Sequence, residues 1–186
     1  MRYVIFIFAI IVLLHGCKKE ELSSFLKNSW GWAKAEMNGV KWEANACRAS
    51  LLENNYISIG FRIADNLQSY ESLTFNNIAL KAGIHFLPNI YLHESEYPLK
   101  PAYMRFMVKG DDDLDCAAYE NLHDKDSLQN WVEITEYNEK TKEIKGRFSC
   151  NMILNPKGSN AGPKCKPTDP DTIRIRNGVF HTKIIN

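Results

Sequence analysis

The sequence predicts an all-β domain: an antiparallel β-sandwich or partly open barrel of about seven to nine strands, behind a short N-terminal helical tether. Three observations predict it. Residues 56–63 alternate cleanly, with Ile57, Ile59, Phe61 and Ile63 on one face and Ser58, Gly60 and Arg62 on the other. This period of two belongs to a half-buried antiparallel strand. Residues 131–137 and 144–154 form a second, hairpin-like pair of alternating runs around the polar turn 138–142. No long amphipathic helical pattern occurs anywhere, which favours sheet-on-sheet or closed-sheet architecture.

The elements follow in order. Residues 3–14 run without a charge between Arg2 and the sequence Leu14-His15-Gly16-Cys17. The run is shorter than the roughly 20 residues a membrane span needs, and it matches the apolar region of an export signal, about 7–15 residues long. Leu14-His15-Gly16-Cys17 resembles the lipobox of bacterial lipoproteins: an aliphatic residue at −3, a small one at −1, then the cysteine whose thiol takes a diacylglycerol thioether. His15 departs from the usual small residue at −2. Residues 1–16 are therefore expected to be a signal peptide and Cys17 the lipid-bearing N-terminus. Lys18-Lys19-Glu20-Glu21 ends the apolar run and begins a solvated tether over residues 17–33, with Leu22, Phe25 and Leu26 at helix-like spacing.

A single β domain is expected over residues 34–186. Asn38-Gly39 marks a tight turn within its first strand pair. Residues 72–80 form a weaker strand, interrupted by Asn76-Asn77, and Pro88 demotes residues 83–93 to an edge strand or two short pieces. Residues 103–109 alternate, with Met104, Phe106 and Val108 inward. Residues 111–126 look like an acidic insertion with one helical turn near Ala117 to Tyr119. Residues 155–171 hold four prolines and no large apolar side chain, which predicts a long loop. Ile173 and Ile175, an Asn177-Gly178 kink, and residues 179–185 close the chain.

Charge narrows the function. Of the 23 Lys and Arg, Arg2 lies in the leader, and the remaining 22 balance 22 Asp and Glu. A neutral body has no nucleic-acid footprint and no polybasic membrane patch; several acyl chains anchor firmly without one. Lys18 after the lipidated cysteine favours the outer membrane, and the Cys-Lys-Lys-Glu-Glu start also looks like a surface-export tag. Five cysteines less Cys17 leave Cys47, Cys116, Cys150 and Cys165. An even number beyond an export signal predicts two disulfides. Three connectivities are open; Cys150–Cys165 with Cys47–Cys116 is preferred because the first pair brackets one loop.

Two stretches together resemble small outer-membrane lipoproteins of the Bacteroidota type, a family of unknown function. Met37-Asn38-Gly39-Val40-Lys41-Trp42-Glu43-Ala44 is similar to their NGxxWxA opening strand. Ile144-Lys145-Gly146-Arg147-Phe148, with Ile175-Arg176-Asn177-Gly178-Val179-Phe180, is similar to their paired GxF and NGxF ending. The resemblance implies an all-β lipoprotein domain and brings no catalytic residues.

Chemistry-bearing clusters are few. Asp111, Asp113 and Asp115 offer alternate carboxylates to a hard cation such as Ca²⁺, but Cys116 and Leu122 stand where an EF-hand needs Gly and Glu. His85, His93, Glu94 and Glu96 match no standard zinc spacing. No Gly-x-Ser-x-Gly elbow or phosphate-binding Gly-rich loop occurs, and no cofactor is expected. Trp30, Trp32, Trp42 and Trp131 are the candidate binding residues, with Tyr91, Tyr97 and Tyr103 beside them, because aromatic rings bury area at low entropic cost. The function this predicts is a noncatalytic, lipid-anchored binding or interaction module at the outer membrane, its partner a glycan, a peptide or another envelope protein. The alternatives are an envelope hydrolase using Asp113, Asp115 and nearby histidines, and a structural assembly subunit.

Overall fold

The computed structural model describes residues 27–64, 70–87, 103–109, 115–121, 129–154 and 170–185. The leader, Cys17, the helical stretch of the tether, Asp111, Asp113, Tyr91, Tyr97, His93, Glu94, Glu96 and Cys165 lie outside these residues, as do the side chains of Tyr103, Asp115 and Cys116.

Eleven strands make up the described chain: β1 (Gly31–Met37), β2 (Val40–Ala44), β3 (Ala46–Leu51), β4 (Tyr56–Ala64), β5 (Tyr70–Ala79), β6 (Gly83–Phe86), β7 (Tyr103–Lys109), β8 (Asp115–Asn121), β9 (Trp131–Asn138), β10 (Glu143–Leu154) and β11 (Thr172–Lys183). They form one antiparallel sheet in the order β2-β1-β11-β10-β8-β7-β5-β4-β3. The two ends of that order are neighbours in sequence. Strands β2 and β3 are halves of one segment bent at Asn45, whose N–H donates to the Arg62 carbonyl. One half pairs with β1 and the other with β4. The corner brings the sheet round nearly into a closed barrel, the partly open alternative of the expected pair. Backbone contacts between Trp30 and Cys47 and between Ile185 and Ala49 span the remaining seam.

The sheet forks at β10. Its first half pairs with β9, which carries the four-residue edge strand β6. Its last three residues pair with β8. Residues 115–121 are therefore strand, not an insertion with a helical turn. Ala117, Ala118 and Tyr119 are buried, and tertiary pairing decides the conformation where local propensity is weak.

Bulges keep apolar side chains inward along the long strands. In β11 one extra residue stands opposite both neighbours near Asn177, whose φ is 53°. Ile173 and Ile175 point inward before it; Phe180, Thr182 and Ile184 do so after it. Because side chains alternate strictly, an unbulged strand would turn one half outward. The same device operates in β5 at Asn77 (φ 56°), which switches the inward set from Leu73 and Phe75 to Ile78.

The interior is filled by aromatics. Phe61, Phe75, Phe148 and Phe180 are at most 2% exposed, with ring centroids 5.3–6.3 Å apart. Gly146 lies opposite Phe180, and Gly178 opposite Phe148. A Cβ on Gly146 would lie 2.5 Å from the Phe180 ring, and one on Gly178 would lie 2.6 Å from the Phe148 ring. The two Gly-x-Phe segments thus interlock: each phenyl covers the bare backbone of the glycine across from it.

Cys47 and Cys150 are free and fully buried, so neither expected bridge, Cys47–Cys116 or Cys150–Cys165, is formed. Both thiols face the apolar core, Cys47 opposite Phe61 and Cys150 opposite Ile175. They pack there as small apolar residues. Desolvation pushes Cys47 up to about 12 and Cys150 further, as burial opposes a thiolate.

Candidate functional site

The four candidate tryptophans part company. Trp42 is 4% exposed and belongs to the core, its indole N–H donating to the Glu71 carboxylate at 3.2 Å. Trp131 is half-buried on β9. Trp30 and Trp32 are exposed at 39% and 42% on the outer wall. Trp32 lies in β1, and Trp30, just before that strand, is tied to the barrel by its backbone N–H to the Cys47 carbonyl.

Trp32 is the register partner of His181 on β11, and the Trp30 ring meets the His181 ring edge-on at 4.9 Å. Three rings therefore share one patch. Gly31 makes this possible. Its φ is 103°, and a Cβ there would run into the His181 carbonyl, so only glycine lets the strand press onto β11 between the two indoles. Trp30 is also fixed by its backbone. Its N–H donates to Cys47, and its carbonyl accepts from the buried Thr182 hydroxyl at 3.1 Å.

Charges of both signs surround the rings. The Lys34 ammonium lies 5.7 Å from the Trp32 ring centre and also contacts Glu43 at 3.4 Å; Lys41 reaches the same carboxylate at 3.0 Å. Hydrogen bonding from Lys41, then from Lys34, and the field of both ammonium groups hold the Glu43 carboxyl below its usual value. On the other side His181 Nε2 lies 3.2 Å from Glu143, and Lys145 pairs with Glu136 at 2.9 Å.

A second feature lies at the far end of β1. The Asn38-Gly39 turn has φ values of 50° and 80°, as a two-residue hairpin turn demands. Asn38 stitches this tip to β11: its N–H donates to the Arg174 carbonyl, and its Oδ1 accepts from the Arg174 N–H, both at 2.8 Å. Beside it runs an open groove of about 520 Å³ lined by Glu36, Asn38, Gly39, Thr172, Arg174 and Arg176. Arg176 is committed to structure. Its guanidinium donates to the Cys150 and Ile175 carbonyls, Ser149, Gln129 and Asn151 at 2.6–3.4 Å. Glu36 and Arg174 remain on the surface of the groove.

The structure assembles no general acid, base and nucleophile at either place. Among the described residues His85 contacts the Lys81 carbonyl and His181 contacts Glu143. No group of three or more His, Cys, Asp or Glu among them is arranged to hold a metal ion. The carboxylates proposed for cation binding or hydrolysis lie outside the described side chains. Sequence reasoning named Trp30 and Trp32 but missed His181, Gly31 and Arg176. The Trp-Gly-Trp spacing was a usable signal for Gly31. Nothing local points to His181, which is brought in by pairing of the first and last strands.

No protein-family model, curated protein or solved structure matches this chain.

Proposed function

We propose that the protein is a lipid-anchored envelope lipoprotein whose barrel serves as a noncatalytic binding or interaction module at the outer membrane, displayed toward the exterior. The observation that carries this reading is Leu14-His15-Gly16-Cys17 at the end of a short apolar run, followed at once by Lys18-Lys19-Glu20-Glu21. A thioether lipid on that cysteine needs no further anchoring segment. The neutral charge balance of the remaining chain agrees with anchoring by lipid and not by basic side chains.

A binding role is supported by where the open surface lies. The interior is packed with phenylalanine, so recognition belongs to the outer wall and the loops. The groove at the hairpin tip offers Glu36, Arg174 and exposed backbone to a glycan, a peptide or an envelope protein. The anchor is tested by Cys17→Ser. The variant is expected to take up no labelled palmitate and to be recovered as a soluble protein, and continued labelling would falsify it. The binding role is tested by screening soluble residues 18–186 against a glycan array and envelope peptides, with Arg174→Ala and Glu36→Ala as controls. Binding unaffected by both controls would take the groove out of the reading.

A further inference from the structure

The barrel also carries a surface suited to a lipid interface. Resting on the reading that Cys17 is lipidated, we infer that the Trp30–His181–Trp32 face lies against the bilayer headgroups and fixes how the barrel stands on the membrane.

Four observations carry this. The first is reach. Ten peptide steps separate Cys17 from Lys27, where the described chain begins, so even fully extended they span at most about 36 Å. The anchor keeps this end of the barrel near lipid at high effective concentration. Trp30 and Trp32 are the first large aromatic side chains the described chain presents after the tether.

The second is rigidity. Trp30 is held through its backbone by Cys47 and Thr182, and Trp32 by the β1–β11 ladder. Both indoles are preset on a firm wall, so little conformational entropy is lost when they meet an interface. The third is chemistry. Indole combines a broad apolar ring with one N–H donor and is enriched where hydrocarbon meets headgroup. Val179, 37% exposed and opposite Lys34 on β11, extends the apolar area. The bordering lysines have carboxylate partners, Lys34 and Lys41 sharing Glu43 and Lys145 meeting Glu136, while His181 Nε2 lies 3.2 Å from Glu143. A rim carrying both signs of charge meets zwitterionic headgroups.

The fourth is polarity along β1. Trp32 and Asn38 stand six residues apart, about 20 Å along the strand. With the indoles at the membrane, the groove of Glu36, Asn38 and Arg174 points outward, where a partner can reach it.

The test uses the lipidated full-length mature protein in phosphatidylethanolamine–phosphatidylglycerol vesicles, with and without brominated phosphatidylcholine. Two of the four tryptophans face lipid in this arrangement, so brominated acyl chains are expected to lower the tryptophan emission by up to about half. Trp131→Phe should keep that loss. The double variant Trp30→Phe, Trp32→Phe should abolish it while its far-ultraviolet circular dichroism stays unchanged. Emission indifferent to bromine, or quenching that survives the double variant, overturns the inference. The mass of the N-terminal peptide is read on the same sample. A lipidated protein with unquenched indoles sinks this inference and leaves the anchor standing; an unlipidated Cys17 sinks both.

Discussion

Replacing Gly178 by alanine tests whether the two Gly-x-Phe segments interlock as described. The new methyl carbon would lie 2.6 Å from Phe148 Cδ2 and 2.6 Å from the Phe148 carbonyl oxygen. Ordinary contact needs roughly 0.8 Å more. The ring has nowhere to retreat, because Phe61 and Phe75 stand at centroid distances of 5.5 and 5.4 Å from it. The carbonyl belongs to the β10 backbone and moves only with the ladder. Overpacking of a filled core costs about 1–3 kcal/mol, and a clash shared by ring and backbone falls at the upper end of that range. Gly178→Ala should therefore destabilise by about 3 kcal/mol, roughly a hundredfold in the folding equilibrium.

Urea unfolding of soluble residues 18–186, followed by tryptophan emission, measures it. Gly39→Ala is the control. Its Cβ meets nothing within 4 Å, so only the positive φ of 80° is strained, for about 1 kcal/mol. Adding Phe148→Leu to Gly178→Ala relieves the ring but not the carbonyl. The double-mutant cycle should show about 1 kcal/mol of favourable coupling. A Gly178→Ala protein no less stable than Gly39→Ala would refute the interlocking account. Gly146→Ala would meet the Glu133 carbonyl on β9 as well as the Phe180 ring, so it should destabilise at least as much.

Three further outcomes follow from the same geometry. Cys47 and Cys150 should be silent to a thiol reagent in the folded protein, and denaturation without reductant should release at least two reactive thiols; one or none would reinstate the bridges. Stability should fall in alkali. The unfolded chain loses the Cys47 proton near the ordinary value of 9.0, whereas the folded chain holds it to about 12. The folded state then binds more protons across that interval, so the contribution is whole below pH 9 and declines by about 1.4 kcal/mol per pH unit above it. Cys47→Ala should remove its own share of that slope and leave the share of Cys150, which burial also raises; a profile unchanged by Cys47→Ala would show that other groups set it. Arg176→Ala should cost about 2–4 kcal/mol in the same urea assay, since it strips charge-assisted hydrogen bonds from Asn151 and the Cys150 carbonyl. Arg176→Lys should recover only part of the loss, having no planar fork.

What was legible in the sequence was whatever a single strand reports about itself. Ile57, Ile59 and Phe61 show their inward face by alternation, and Asn38-Gly39 shows its turn by backbone chemistry. Pro88 was enough to place β6 at an edge, where among the described residues it pairs only with β9. Everything that depends on which strand meets which was hidden. Strand β8 reads as a patch of alanines in an acidic run because what makes it a strand is β7 on one side and β10 on the other. Closure into a barrel rests on the bend at Asn45, which no alternation pattern announces.

The cysteines show how counting can mislead. An even number after an export signal is an argument about compartment, and it is blind to direction. Cys47 and Cys150 point into the core on β3 and β10, where each fills the space of a small apolar side chain among rings. The Gly-x-Phe repeats show the converse. As sequence they were a resemblance without a mechanism. Paired antiparallel, with Gly146 facing Phe180 and Phe148 facing Gly178, they become a packing rule. The Trp-Gly-Trp stretch obeys the same rule at the other wall, where Gly31 clears the His181 carbonyl so that the flanking indoles can stand outward. In both places the glycine marks close approach of β11, so the last strand organises the core and the candidate membrane face together. A substitution that loosens β11 should disturb both. Gly31→Ala, whose Cβ would overlap the His181 backbone carbonyl, should therefore both shift the indole emission and lower stability at least as much as Gly178→Ala; a stable variant with unchanged emission would refute this account of the approach.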